Sequence, residues 1–239
     1  MSETTRTSTQ SAGGELGARL AALAGLASAL LFLVGTAILN VPSKASDREL
    51  IQWWSSSSHQ LDALVSMITF TLAGLFFLVF LAHLRTRLLA AEGGAGTLTT
   101  IVFSGGLLFV ATLFAAATAR GVISYAVKSP AAGEPLPSAD LLRYLPQLSY
   151  VVLGFCGLLS AALAIAVTSL LAFRTSVFGR LLAWLGLACA VGLILANVIL
   201  IGIGAIPAML LWTVAMSVAF WRRGPMTALI GAAARPSSP

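Results

Sequence analysis

Few side chains in this sequence have types and spacing that do chemistry, and nearly all of them sit at the ends of apolar runs. His59 and Asp62 are three residues apart, near enough to share one face of a helix. Arg120 ends a different run and falls at the same depth as Asp62. A guanidinium and a carboxylate at one depth can pair. With His59, Tyr125 and Asn197 they would line a polar pocket. The competing reading is that each group ends its own span and meets headgroups and water separately. At the opposite ends of the runs, HLRTRLLAAEGG carries Arg85, Arg87 and Glu92. Arginines there snorkel to lipid phosphates or dock a partner.

The remaining reactive groups are sparse. His59 and His83 lie at opposite ends of one run and cannot share a metal. Cys156 and Cys189 both fall within apolar stretches, where they read as small packing residues. The strings HExxH, CxxC, GxSxG and the phosphate-binding loop do not occur. No metal, cofactor or catalytic residue is expected, and a membrane-embedded enzyme is the weakest of the functional classes that remain.

The elements that position these groups follow from composition. Of 239 residues, 58% are hydrophobic and 9% charged, against about 25% charged in a soluble domain. Too few charges exist to cover a water-soluble globule, so the chain belongs in a bilayer. A span needs ~20 apolar residues, and the runs at about 20–39, 61–81, 98–119 and 148–173 qualify. The stretch 181–221 holds no charge and is too long for one span. Gly202, Gly204 and Pro207 divide it into 181–201 and 205–221. The expected fold is an all-α bundle of six spans over 16–223, flanked by flexible tails at 1–15 and 224–239.

Charge orients the bundle. Arg6, Arg19, Arg85, Arg87, Arg174, Arg180, Arg222, Arg223 and Arg235 fall on one side with Glu3, Glu15 and Glu92. Lys44, Arg48, Arg120, Lys128 and Arg143 fall on the other with Asp47, Glu49, Asp62, Glu134 and Asp140. The whole net charge of +6 therefore lies on one face. The positive-inside rule puts that face, and both termini, in the cytoplasm. Basic residues scattered singly beside apolar runs do not make a nucleic-acid surface. No acid or base occupies the middle of a span, which argues against a proton-coupled pump or a voltage sensor.

Two longer loops then lie outside. In the first, Ser46-Asp-Arg-Glu49 has capping-box spacing ahead of LIQWW, predicting a short interfacial helix with Trp53 and Trp54 at headgroup depth. In the second, prolines predict irregular chain with a helical turn or two around Ser138–Tyr144. Small residues four apart, such as Ala24/Ser28, Gly186/Ala190 and Gly192/Ala196, suit close helix packing within the bundle or across a homo-oligomer. Arg19–Ala29 matches Arg180–Ala190 at seven of eleven positions, from shared Ala/Leu/Gly composition or from an ancestral duplication of hairpins.

The segment FLAHLRTRLLAAEGGAGTL (80–98), followed by Phe103-Ser-Gly-Gly106, resembles six-span membrane proteins of high-GC actinobacteria, a family of unknown function. The likeness implies a bacterial plasma membrane and brings no ligand or site residue with it. Three classes stand: a non-catalytic protein that binds membrane lipid or a membrane or cytoplasmic partner; a permease or channel for a neutral or amphiphilic solute; and the enzyme.

Overall fold

The computed structural model describes the backbone of residues 3–42, 44–128, 135–199 and 202–233, and the side chains of 15–42, 44–128, 135–199 and 204–222. Its elements are α1 (Glu3–Ile38), α2 (Asp47–Ser55), α3 (Ser57–Glu92), α4 (Thr97–Lys128) and α5 (Ala139–Val151). A π turn (Val152–Gly157), α6 (Leu158–Thr175), α7 (Arg180–Val198), a 3-10 turn (Gly202–Ala205) and α8 (Ile206–Ala233) follow. Among the described residues there is no strand.

Five rods are long and apolar enough to cross a membrane: Glu15–Ile38, Ser57–Glu92, Thr97–Lys128, Ala139–Thr175 and Arg180–Val198. The break expected near Gly202 is present, and it leaves Ile206–Arg222 as a shorter apolar helix of 17 residues. That is about 25 Å of helix against ~30 Å of hydrocarbon.

The helices outrun the apolar stretches that define them. Helical backbone begins at Glu3 and continues to Ala233, where the sequence suggested irregular ends. Extending an existing helix costs far less than nucleating one, so a polar flank follows its apolar neighbour. The second loop is likewise more ordered than its prolines predict. From Ala139 it is α5, with Pro146 inside the helix, and it continues through the π turn into α6. The stretch 129–134, with Pro130 and Glu134, lies outside the described residues.

The rods alternate in direction and close into a ring, each packed on its neighbours in the order α1, α3, α4, α6, α7, α8 and back to α1. Aromatic side chains run up the middle. Phe77 meets Phe109 edge-on at 5.2 Å, Phe80 meets Trp212 at 6.1 Å and Phe32 meets Phe70 at 5.3 Å. Such pairs contribute roughly 0.5–1.5 kcal/mol each beyond the area they bury. Small residues seat the walls, since Ala24, Ser28 and Ala190 are buried and Gly186 lies against Ser169 and Trp212. Gly192 faces open space instead. Of the cysteines, Cys189 is buried but Cys156 is exposed, so only the first is a packing residue.

One end of the ring carries a lid. The capping box forms as spaced: Ser46 N–H donates to Glu49 Oε2 (2.8 Å) and Glu49 N–H to Ser46 Oγ (3.4 Å). The tryptophans depart from expectation. Trp54 is fully buried, in a small core with Leu39, Leu50, Ala63, Ile123 and Leu142, because α2 turns one face, Leu50 and Trp54, inward and packs on α5. The donors of Ser46 hold the Glu49 carboxyl below its ordinary range. A depressed carboxyl stabilises its fold above the ordinary value and loses that contribution as pH falls through the lowered one. Acidification to the foot of the carboxylate range should therefore speed amide exchange in the first turn of α2. Glu49→Gln should abolish that pH dependence, and exchange in the variant that still follows pH would remove the capping box as its cause.

Candidate functional site

Arg120 organises the lidded end. The sequence ends its span at Ala119, but α4 continues to Lys128. The residue therefore lies eight positions, about 12 Å, inside the helix, and it is 1% exposed. Burying a guanidinium is costly unless its donors and charge are answered. Here they are answered without a carboxylate. Nε donates to Ser66 Oγ at 2.9 Å, and Nη2 donates to the carbonyls of Gly35 (3.3 Å) and Leu39 (3.1 Å). Ser66 Oγ itself donates to Gly35 O, and the Tyr150 hydroxyl to Leu39 O. The rings of Phe70 and Tyr150 lie 5.0 and 5.1 Å from the guanidinium carbon.

Gly35 lies in the last turn of α1 and Leu39 directly follows it. The last carbonyls of a helix have no partner within it and together carry about half a negative charge. Arg120 therefore caps α1 from α4, and the helix end serves as its counter-charge. Gly35 makes the approach feasible, because a Cβ there would stand 2.8 Å from Phe70 Cδ2. Chemically the arrangement holds a fixed positive charge. A guanidinium does not give up its proton near neutral pH, so Arg120 positions and pairs and does not shuttle protons.

The other residues of the expected pocket do not gather around it. Among the described residues the only salt bridge is Arg143 to Asp47 at 2.9 Å, so Asp62 does not pair with Arg120. His59 turns back to α2, stacked on Trp53 at 4.0 Å. Its Nδ1 lies 2.8 Å from Trp53 O, and a carbonyl acceptor makes that nitrogen the donor. Tyr125 is 62% exposed. Asn197 is buried on α7, donating to Leu193 O, and α7 packs on α6 and α8, away from the arginine.

Sequence reasoning missed Ser66, Phe70 and Tyr150, which read as ordinary span residues. It also missed Arg143, whose Nη2 ties α5 to Ala45 O as well as to Asp47. The buried polar side-chain atoms without a partner among the described residues are Trp54 Nε1, Ser124 Oγ and Arg143 Nε. All three belong to the elements of the lidded end.

At the opposite, basic end Glu92 turns back onto the start of α4. Its carboxylate accepts the Leu98 and Thr99 amides and the Thr99 hydroxyl, capping α4 across a hinge where Gly93, Gly94 and Gly96 adopt φ of 66°, 55° and 64°. Arg85 lies 5.3 Å from the Phe103 ring, and Arg87 Nε donates to His83 Nε2 at 3.4 Å. No group of three metal-ligating side chains occurs among the described residues.

These features define a helical bundle of membrane-spanning character with an internally capped arginine at one end and a basic surface at the other. Comparison with known protein families, curated proteins and solved structures finds no match.

Proposed function

We propose that this is a six-span protein of a bacterial plasma membrane, with both termini in the cytoplasm, that works by binding membrane lipid or another protein and not by turnover. The observation that carries the reading is the filled centre of the ring. Phe77, Phe109, Ile165, Met209 and Trp212 enclose an apolar void of about 10 Å³, and a void that size, with apolar walls, stays dry. The helices are thus packed as a rigid support whose free chemistry is at its two ends. On this reading Ile206–Arg222 is the sixth span, tilted little and extended into the interface by Trp221 and Arg222.

A second reading, a carrier for a neutral or amphiphilic solute, draws on one feature. A groove of about 450 Å³ between α4 and α6, lined in part by Thr100, Ser104 and Ser160, opens on the outer wall of the ring. One experiment addresses both readings. In a Cys156→Ser, Cys189→Ser background, Ser2→Cys and Ser238→Cys should both resist an impermeant maleimide in intact cells, while Lys44→Cys reacts. Purified protein in vesicles should not accelerate passage of glycerol or of a short-chain fluorescent phospholipid. Labelling of one terminus alone would reject six spans, and accelerated passage would favour the carrier.

A further inference from the structure

Resting on that membrane reading, we propose that the basic end of the α1–α3–α8 seam binds the phosphate headgroup of an anionic membrane lipid. Three helices carry cationic and donor groups at that end. Arg19 on α1 stands 6.0 Å from the ring of Trp221 on α8. His83 on α3 meets Phe220 on α8 edge-on at 5.0 Å, and Arg87 sits one turn further along α3. Arg222 follows Trp221 and is exposed.

What distinguishes this patch from freely snorkelling arginines is how each is held. Arg19 leans on an indole and Arg87 on an imidazole, partners that fix a guanidinium without neutralising it. The acids near this end leave the charge standing. Glu92 is committed to the amides of α4, and Glu15 forms no salt bridge among the described residues. Each guanidinium has five N–H donors, of which Arg87 gives one to His83. The rest match the oxygens of a phosphate, which arginine takes in bidentate fashion.

His83 supplies a further donor. Because its Nε2 accepts from Arg87, the neutral ring carries its proton on Nδ1. That nitrogen points toward Gly17 of α1, where even an added Cβ would stand 3.9 Å away. The bare glycine puts no side chain over that nitrogen. Two guanidinium groups and one imidazole N–H thus stand at the same end of the bundle, at headgroup level, and anionic lipid is the abundant phosphate at that level.

The test is retention of phosphatidylglycerol against phosphatidylcholine by the purified full chain, read by native mass spectrometry from detergent. The wild type should retain phosphatidylglycerol selectively. R19Q/R87Q should weaken it by about tenfold, equivalent to roughly 1.4 kcal/mol, while R48Q at the other end retains it. Gly17→Leu keeps every charge and covers His83 Nδ1, and it should also lose lipid. That variant keeps the proposal falsifiable should R19Q/R87Q fail to fold. Equal retention of the two lipids, undiminished binding in R19Q/R87Q or Gly17→Leu, or equal loss in R48Q overturns it. Release of the chain from membranes by alkaline carbonate would instead overturn the membrane reading itself, and the lipid site with it.

Discussion

Arg120→Ala should destabilise the purified protein by about 3 kcal/mol or more, the largest effect expected of any single charge removal. Truncation strips Gly35 O and Leu39 O of a charged donor at a buried helix end, leaving only the Ser66 and Tyr150 hydroxyls on them, and a hydrogen bond to a charged group contributes roughly 1.5–3 kcal/mol. It also removes a cation from two aromatic faces, worth about 0.5–2 kcal/mol apiece. Arg120→Lys keeps the charge but lacks the planar fork that reaches Ser66 and both carbonyls, so it should recover less than half of the loss. Arg120→Met fills the space and restores none of the hydrogen bonds. A double-mutant cycle read by thermal unfolding in detergent separates the cage from a salt bridge. Ser66→Ala should couple to Arg120→Ala by about 1 kcal/mol, and Asp62→Ala should add independently. Coupling to Asp62 with none to Ser66 would show that the carboxylate, not the end of α1, balances the arginine.

This contrast also explains what the sequence could disclose. The bundle, its helical breaks and the capping box at Ser46 were legible because each has a local signature: run length, a Gly/Pro interruption, or a Ser and Glu three apart. The Arg120 cage was not. Its acceptors are backbone carbonyls of Gly35 and Leu39, 85 and 81 residues away in sequence, and a carbonyl leaves no mark in a residue code. Matching charges by depth favoured Asp62, the acid at the same level, because side chains are the only counter-charges a sequence displays. The one readable hint was Arg120 itself, followed by Gly-Val-Ile-Ser-Tyr-Ala-Val, a stretch able to carry the helix past it. The inner loop has a further backbone partnership of this kind. Glu92 was grouped with Arg85 and Arg87 as a lipid or partner contact; its bond to the unpaired amides at the start of α4, favoured by hydrogen bonding and by the helix dipole and allowed by the glycine hinge, had no mark in the sequence.

Gly25→Leu should open the ring where α8 returns to α1, with a loss above the roughly 1–3 kcal/mol usual for overpacking. A Cβ at Gly25 would collide with Ser217 Oγ and stand 2.8 Å from Phe80 Cδ2. Neither neighbour has room to yield. Ser217 is fully buried and bonded to Thr213 O, and Phe80 is held between Phe77, Trp212 and Phe220. Without a strong hydrophobic drive between helices in lipid, close backbone approach supplies much of the association energy, so a leucine here removes contact along the whole seam. Gly192→Leu on α7 is the matched control, because its position is open and should be nearly neutral. If the two variants melt alike in detergent, α1 and α8 do not form the contact that closes the ring. If Gly25→Leu alone melts early and also loses retained phosphatidylglycerol, the same seam that closes the bundle builds the lipid site at its basic end.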